Sequence, residues 1–252
     1  MTKIALITGA TSGIGEACAH LFAREHYDLI LTGRRLDRLE KLSQLLKARY
    51  SVEVIISSFD VRDRDQVVAS LEALPENWKK VNVLINNAGL SQGLDPIQNG
   101  SFDDWDTMID TNVKGLLYVS KVVANWMIIN KFGHIVNLGS VAGKEVYPNG
   151  NVYCASKHAV DALNKAMRID LLQHGIRVTG IHPGAVETEF SEVRFKGDKE
   201  RAKRVYEGFE PLVAADIADT IWFAVSRPAH VNINELTVMP TAQASATIIA
   251  RK

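Results

Sequence analysis

The sequence predicts an α/β fold in which a doubly wound parallel sheet of seven strands carries helices on both faces. Two patterns support this prediction. Short apolar runs alternate with amphipathic helical stretches along the chain, and the runs are apolar on both faces, as in strands buried between two helix layers. No linker, low-complexity segment or repeat interrupts the alternation. We therefore expect residues 1–252 to form a single domain.

In the N-terminal half, hydrophobic periodicity and the residues that end each run define the elements. Gly33 follows the second strand, and Pro75 closes the third helix. The predicted strands here are 4–7, 29–31, 52–56 and 81–85, and the predicted helices are 15–25, 36–50 and 62–74.

The C-terminal half is predicted in the same way and is more helical. Gly133 and Gly175 allow the turns from helix to strand, and Pro183-Gly184 stops the sixth strand. Residues 187–210 are polar and charged, with no clear strand. The predicted helices are 102–130, 152–173 and 215–226, and the predicted strands are 134–138, 177–181 and 235–239.

The composition excludes several classes of protein. The 252 residues are 46% hydrophobic, and 29 Lys and Arg balance 29 Asp and Glu, for a formal net charge of +0. Disordered chains are less apolar and more highly charged. No apolar run is long enough to span a membrane. A net charge of +0 provides no excess of positive charge to attract a polyanion such as a nucleic acid. We expect no membrane partner and no nucleic-acid partner.

The cysteines and the first residues bear on the cellular compartment. Cys18 and Cys154 are far apart, and neither belongs to a Cys-x-x-Cys pair or to a cluster with zinc spacing. We expect no metal site and two reduced thiols, with a disulfide as the alternative. Residues 1–9 lack the apolar region and cleavage site of a signal peptide, so we expect a cytoplasmic protein.

A glycine-rich turn follows the first strand and opens the first helix. Its sequence is Thr8-Gly9-Ala10-Thr11-Ser12-Gly13-Ile14-Gly15. Glycine allows the backbone to approach a pyrophosphate, and the next helix points its N-terminal N–H groups at the anion. We predict a dinucleotide site, with a ligand-free strand–helix turn as the alternative.

The end of the second strand bears on the choice of coenzyme. The segment Thr32-Gly33-Arg34-Arg35 lacks the carboxylate that holds the ribose 2′-hydroxyl of NAD. Two guanidinium groups suit a 2′-phosphate instead, because arginine presents a fork of donors. The sequence favours NADP(H), with a solvated helix start as the alternative for the two arginines.

Tyr153 and Lys157 are four residues apart on a predicted helix and share one face. A nearby ammonium favours the phenolate, so we expect Lys157 to lower the pKa of Tyr153. The phenol then becomes a general acid or base for a carbonyl/alcohol pair.

Two further polar residues accompany this pair. Ser140 follows the fifth strand at the carboxyl edge of the sheet, where its hydroxyl can hydrogen-bond a substrate oxygen. Asn112 lies within the long helix 102–130 and is a candidate helix-kink or water-binding residue, with a satisfied core amide as the alternative. We expect His182 to be a packing residue, and Ser140 lacks the sequence context of a hydrolase nucleophile.

Together these motifs resemble those of the short-chain dehydrogenase/reductases over nearly the whole chain. They are Thr8-Gly9-x-x-x-Gly13-x-Gly15, Asn86-Asn87-Ala88-Gly89, Asn112, Ser140, Tyr153-x-x-x-Lys157 and Pro183-Gly184. The resemblance implies a Rossmann-type sheet, an NAD(P)(H) cofactor and a homotetramer packed through helices 102–130 and 152–173.

The resemblance also implies roles for individual residues. Tyr153 would be the proton donor or acceptor, and Ser140 would orient the carbonyl. Lys157 would bind the nicotinamide ribose, and Asn112 would hold a water in the proton relay. The expected cofactor-binding residues are Gly9, Ala10, Thr11, Ser12, Gly13, Ile14, Gly15, Arg34, Arg35, Asp60, Val61, Asn87, Ala88, Gly89, Tyr153, Lys157, Pro183, Gly184, Val186 and Thr188.

Two C-terminal segments, 188–198 and 228–235, look like those of the NADP-dependent 3-hydroxy acid dehydrogenases. That resemblance implies serine, allo-threonine and related 3-hydroxy acids as substrates. Such a substrate carries a carboxylate, which Arg194 or Lys196 can bind alongside Ser140 and Tyr153. The alternative for the basic run after Arg194 is a solvated helix face.

The sequence leaves other functions open. A general carbonyl or 3-oxoacyl reductase shares every catalytic residue. A non-catalytic NADP-binding regulator has no chemical need for Asn112, Ser140, Tyr153 and Lys157 together. A nucleotide-sugar epimerase needs extra length for a substrate domain.

Overall fold

The computed structural model describes residues 2–252 and confirms the predicted α/β architecture. Seven parallel strands form one sheet, in the spatial order β3-β2-β1-β4-β5-β6-β9. These strands are β1 (Lys3–Thr8), β2 (Tyr27–Gly33), β3 (Val54–Ser58), β4 (Val81–Asn86), β5 (His134–Leu138), β6 (Arg177–Pro183) and β9 (Glu235–Val238). Two short strands, β7 (Val186–Glu187) and β8 (Leu212–Val213), pair separately.

Helices connect the strands and cover both faces of the sheet. They are α1 (Gly13–Arg24), α2 (Leu36–Tyr50), α3 (Arg64–Glu72), α4 (Phe102–Ile109), α5 (Leu116–Asn130), α6 (Asn151–Asp170), α7 (Phe190–Arg194), α8 (Lys199–Arg204) and α9 (Ala214–Val225). No helix within residues 2–252 is long and apolar enough to cross a membrane.

Alternating side chains of each strand feed two separate cores, because successive residues of a strand point to opposite faces. In β1, Ala5 and Ile7 join the core beneath α1, α2 and α9. Ile4 and Leu6 join the core beneath α3 and α5. Burial on both faces explains why the strands read as continuous apolar runs. Cys18 and Cys154 are buried and unpaired, as expected.

The long predicted helix 102–130 differs in one respect. Between α4 and α5, residues Asp110–Gly115 form a π-helical stretch. The predicted helix 152–173 ends at Asp170 and continues as a short 3-10 turn, Leu172–His174. The polar region 187–210 contains α7 and α8, which hydrophobic periodicity did not predict because both helices are short and α8 is mostly charged.

The strand order places a crevice at the carboxyl edge of the sheet. β1 lies between β2 and β4, so the connections that leave β1 and β4 run to opposite faces. Ligands of open α/β sheets bind at such a point. The glycine-rich turn, Asn87, Ser140 and Gly184 all follow strands that end at this edge.

Candidate active site

A cavity of about 620 Å³ opens at the carboxyl edge of the sheet. Its volume is in the range of small-molecule and cofactor sites. Most of the predicted site residues line it: Gly9, Thr11, Ser12, Gly13, Ile14, Arg34, Arg35, Asp60, Val61, Asn87, Ala88, Gly89, Ser140, Tyr153, Lys157, Pro183, Gly184, Val186, Thr188 and Arg194. Ala10, Gly15 and Asn112 are buried behind the lining rather than in it.

The glycine-rich turn is built for close backbone approach. Gly13 has a φ of +56°, in the left-handed region that favours glycine. A Cβ on Gly15 would lie 2.3 Å from the carbonyl oxygen of Gly9, so the turn closes only with glycine there. The Asn87 amide donates to the carbonyls of Thr8 (2.9 Å) and Gly9 (3.1 Å) and ties the turn to the end of β4. This cradle fits the pyrophosphate of a dinucleotide.

The two arginines after β2 have different surroundings. Arg34 is 59% exposed, and its guanidinium lies 3.9 Å from the Asp60 carboxylate, beyond hydrogen-bond distance. Arg35 donates to the hydroxyls of Thr11 and Ser12, at 2.8 Å each, and to Glu189 at 2.9 Å. Both line the cavity, but only Arg35 is held in place by its neighbours.

The catalytic candidates meet where β5 ends against α6. Tyr153 and Lys157 lie on α6, and Ser140 caps the 3-10 turn Val141–Gly143 by accepting from Ala142 N–H at 3.1 Å. The Lys157 ammonium donates to the Leu138 carbonyl at 2.8 Å and lies 6.0 Å from the centre of the Tyr153 ring. The Ser140 hydroxyl lies near the Tyr153 hydroxyl and acts to lower its pKa. The three predicted side chains are therefore brought together.

Burial controls the protonation of this group. It raises the pKa of Tyr153, and the Arg194 charge and the Ser140 hydrogen bond act in the opposite direction. Burial also lowers the pKa of Lys157 to about 8. The sequence predicted that Lys157 would lower the pKa of Tyr153. This prediction is wrong, because burial of the phenol outweighs the Arg194 charge and raises the pKa.

Asn112 lies in the π-helical stretch and links two elements of the site. Its side chain accepts from Leu90 N–H and donates to Leu90 C=O, both at 2.8 Å. It also donates to the Ser156 hydroxyl on α6 at 3.0 Å. π-Helical insertions recur at functional sites because they redirect a side chain. Here the insertion points a buried amide at the loop after β4.

Arg194 enters the cavity from α7 and packs among aromatic rings. Its guanidinium carbon lies 4.9 Å from the Phe190 ring centre and 5.3 Å from that of Tyr153. One guanidinium nitrogen donates to the Tyr147 hydroxyl at 3.1 Å, while the buried Nε has no partner in residues 2–252. A half-buried guanidinium that lines the cavity suits an anionic ligand.

Lys196, the other predicted carboxylate ligand, does not line the cavity. Its ammonium pairs with Asp104 of α4 at 2.9 Å. The prediction that Lys196 binds the substrate carboxylate is therefore wrong. The reason is that α7 ends at Arg194, and the chain turns away from the cavity before Lys196.

Several lining residues were not predicted. They include Tyr147 and a C-terminal tail, residues 240–252, that contributes Gln243, Ala246, Ile249 and Arg251. Tyr147 follows Ser140 on the same loop, so its place near the site could have been inferred. The tail carries no such signal, since only the fold brings it back across the cavity, where Gln243 accepts from Ala185 N–H at 2.8 Å.

An ionic group lies behind Ser140. The Lys144 ammonium donates to Asp161 on α6 and to Glu235 on β9, both at 2.7 Å. The His182 ring is buried 3.7 Å from Asp161 and 3.9 Å from Glu235, and burial lowers its pKa to about 4. Asp161 also pairs with the Lys165 ammonium at 2.7 Å, so two ammonium groups balance the two carboxylates. His182 is a buried packing residue, as expected.

Comparison with known proteins identifies a family and several relatives to which the chain is similar. A model of the family described as short chain dehydrogenase matches residues 3–199. The chain is 45% identical over 244 residues to the NADP-dependent 3-hydroxy acid dehydrogenase YdfG of Salmonella typhi, covering 96% of this chain and 97% of that protein. It is 46% identical over 245 residues to a sulfoacetaldehyde reductase of Chromohalobacter salexigens, covering 97% and 96%.

Solved structures show the same similarity. A closed form of serine dehydrogenase complexed with NADP+ superimposes with a TM-score of 0.92 at 42% identity, covering 99% of both chains. The predicted resemblance, drawn from motifs alone, is confirmed at the level of family and fold.

Proposed function

The chain belongs to the short-chain dehydrogenase family, and from this premise we propose that it is an NADP-dependent oxidoreductase that interconverts small 3-hydroxy acids and 3-oxo acids. Serine, allo-threonine and 3-hydroxypropionate represent the hydroxy-acid class. The proposal of an acidic substrate depends on one observation: Arg194 lies beside Tyr153, and its buried Nε has no hydrogen-bond partner in residues 2–252.

The anion class follows from the chemistry of this pocket. Arg194 is surrounded by Tyr147, Tyr153 and Phe190, which leave its free donor with no acceptor in residues 2–252. A carboxylate bound there would satisfy the donor and neutralise the charge. The named relatives act on hydroxy acids or on sulfoacetaldehyde, and both compounds pair a small reacting carbon with an acidic group.

We assign the proton chemistry to the residues at the end of β5 and the start of α6. Tyr153 accepts the substrate hydroxyl proton in oxidation and returns it in reduction. Ser140, which lies near Tyr153 in the same cavity, holds the same oxygen. Lys157, anchored on Leu138 C=O, places a positive charge beside them. When bound, the coenzyme supplies the hydride acceptor or donor for the substrate carbon.

The remaining predicted residues fit a coenzyme along the cavity. The glycine-rich turn and the N-terminus of α1 suit the pyrophosphate, and the guanidinium groups after β2 suit a 2′-phosphate. Asp60 and Val61, which would lie along the adenine, line the cavity. So does most of the stretch from Pro183 to Ser191, which would border the nicotinamide. The NADP-dependent relative and the NADP+-bound serine dehydrogenase support this choice of coenzyme.

A substrate panel followed at 340 nm tests the proposal. L-Serine, allo-threonine, 3-hydroxypropionate and hydroxyethanesulfonate are compared with a neutral secondary alcohol and a 3-oxoacyl thioester, each with both coenzymes. We expect turnover of a short acidic substrate with NADP. Preference for the thioester or the neutral alcohol would favour the general carbonyl or 3-oxoacyl reductase. Preference for hydroxyethanesulfonate would keep an acidic substrate but replace the carboxylate by a sulfonate.

The role of Arg194 has its own test. We expect Arg194→Ala to raise KM for the acidic substrate, while Arg194→Lys, which keeps the charge, loses less. A matched control is Lys196→Ala, because Lys196 pairs with Asp104 outside the cavity. An unchanged KM in Arg194→Ala would remove Arg194 from the substrate site.

We further propose that residues 1–252 act as one catalytic domain, in the cytoplasm, within a homotetramer. Apolar side chains are exposed along the helices named for packing: Leu117 and Ile129 on α5, Ile169 at the end of α6 and Leu172 just beyond it. Burying such a surface against another copy would remove it from water. Light scattering after size-exclusion chromatography tests the assembly, with Ile169→Lys expected to weaken it.

A further inference from the structure

Glu189 joins the segment that covers the cavity to the helix that follows β2. We define the covering segment as residues 188–210, which contain α7 and α8. One carboxylate oxygen of Glu189 accepts from Arg35 at 2.9 Å, and the other accepts from Arg38 at 2.6 Å. We call Arg35, Arg38 and Glu189 the Glu189 clamp. Each arginine binds a different carboxylate oxygen, so both oxygens are occupied.

The clamp also holds the glycine-rich turn. Arg35 donates through Nη2 to the hydroxyls of Thr11 and Ser12, and its Nε donates to Thr11 as well. Three parts of the site are therefore tied to one guanidinium: the phosphate turn, the start of α2 and the covering segment. The next residue before Glu189, Thr188, packs against this turn, since a Cβ on Gly13 would lie 3.3 Å from its side chain.

Arg34 differs from Arg35 in every one of these respects. It is largely exposed, and its nearest carboxylate, Asp60, lies beyond hydrogen-bond distance. Asp60 is instead paired with Arg62 at 2.7 Å. A guanidinium that lines the cavity with its donors free is available to an incoming phosphate, whereas the donors of Arg35 are mostly committed.

We propose that the Glu189 clamp holds the covering segment over the cavity, with Arg35 as a positioning residue. Of the two arginines that the proposed function offers to a 2′-phosphate, the clamp then leaves Arg34 to make the main contact. This consequence for Arg34 rests on the proposed function, which provides a coenzyme with that phosphate. The clamp does not, because it concerns contacts within the chain.

Proteolysis measures the clamp without turnover. Trypsin cuts the covering segment after the exposed Lys199, Arg201 and Lys203 only when the segment opens. We compare the unmodified protein with Glu189→Gln and Arg38→Gln, since Arg38 does not line the cavity. Each variant should speed cleavage at these sites about fivefold, as expected for a partly exposed ion-pair network. Both substitutions remove the ion pair between Arg38 and Glu189. Cleavage of the variant that carries both Glu189→Gln and Arg38→Gln should therefore be no faster than cleavage of Glu189→Gln.

A matched control removes a nearby charge outside the clamp. Glu192→Gln makes the same substitution at an exposed glutamate of the covering segment. It should leave the cleavage rate unchanged. Equal cleavage in Glu189→Gln and Glu192→Gln would overturn the clamp. With the acidic substrate, Glu189→Gln should raise KM about fivefold with NADP and with NAD alike, and leave kcat nearly unchanged.

Calorimetry with coenzyme fragments tests the division between the arginines. The probes are adenosine 2′-monophosphate and adenosine 5′-monophosphate. Arg34→Gln should weaken binding of the 2′-phosphate about tenfold and leave the 5′-phosphate unchanged, whereas Glu189→Gln should change neither. Tighter binding of the 2′-phosphate to Glu189→Gln would show that Glu189 competes for Arg35 and would overturn the assignment, as would unchanged binding to Arg34→Gln.

The two proposals fail separately. If neither fragment nor NADP binds the unmodified protein, the proposed function fails and the assignment of Arg34 fails with it. The cleavage rates of the Glu189, Arg38 and Glu192 variants still decide whether the clamp holds the segment.

Discussion

At the scale of single residues, two opposing effects set the pKa of the Tyr153 hydroxyl, the group to which we assign the proton transfer. Burial favours the protonated phenol, while the Arg194 charge favours the phenolate. Arg194 thus acts twice in the proposed site: it binds the acid group of the substrate, and its field reaches the general base. The substrate anion and the base are coupled through one guanidinium.

The pH profile should report this coupling. In oxidation, kcat/KM should rise with pH as Tyr153 loses its proton. Arg194→Gln removes a charge that lowers the pKa of Tyr153, so the rise should move to higher pH. Arg194→Lys keeps the charge and should keep the position of the rise. Coincident profiles for the two variants would contradict the role of the charge, whatever happens to the absolute rates.

The phenol itself has a simpler test. Tyr153→Phe keeps the buried ring and removes only the hydroxyl. Turnover should fall by about 10²–10⁴-fold, the usual contribution of a general acid or base. Binding of NADPH, followed by its fluorescence, should stay nearly intact because the ring still fills its place. A variant that turns over at the original rate would remove Tyr153 from the mechanism.

At the scale of elements, the π-helical stretch is the connection that carries Asn112 into the site. Its amide satisfies both backbone groups of Leu90 in a place without access to solvent. Leaving buried backbone groups unpaired costs free energy, and this loop leads directly to the cavity. The π-helical stretch therefore shapes the site by holding this loop in place.

We expect Asn112→Ala to lower the free energy of unfolding by about 2–4 kcal/mol, because it leaves both polar groups of Leu90 buried and unpaired. Urea unfolding at fixed protein concentration measures the change. Ser156→Ala is the matched control: it removes one partner of Asn112 and leaves the Leu90 bonds in place, so its effect should be smaller. Equal losses in the two variants would contradict this account.

The elements also show which features a sequence reveals. Strands buried on both faces and helices of three or more turns have periodic patterns, and these were predicted within a few residues. One extra residue in a helix barely disturbs the apolar period, so the π-helical stretch was missed. The side chains of Tyr153 and Lys157 were predictable because four residues on a helix fix their face. The different surroundings of Arg34 and Arg35 could not be predicted, because Arg35 is held by Glu189, which is about 150 residues away in the chain.

At the scale of the whole molecule, two buried histidines make stability sensitive to acid. Burial lowers the pKa of His134 to about 3 and that of His182 to about 4. In the unfolded chain both titrate near 6.5. Between about pH 6.5 and 4 the unfolded chain therefore binds more protons than the folded protein, and the folded protein loses stability as the pH falls.

The free energy of unfolding should fall by up to about 1.4 kcal/mol per pH unit for each histidine over this range. Above pH 7 these two residues should contribute no slope. Urea unfolding at several pH values measures the dependence, and His134→Gln should reduce the slope by about half. The same slope with and without His134 would show that other groups cause the acid sensitivity.

The ionic group behind Ser140 has a consequence for how this sequence can drift over evolutionary time. Lys144 joins Asp161 on a helix to Glu235 on a strand, although the three residues are far apart in the chain. Loss of the lysine alone would leave Glu235 without an ammonium partner beside a buried imidazole, whereas Asp161 would keep its pair with Lys165 at 2.7 Å. Among related proteins, Lys144 and Glu235 should therefore change together, and an alignment with Lys144 replaced but Glu235 retained should be rare.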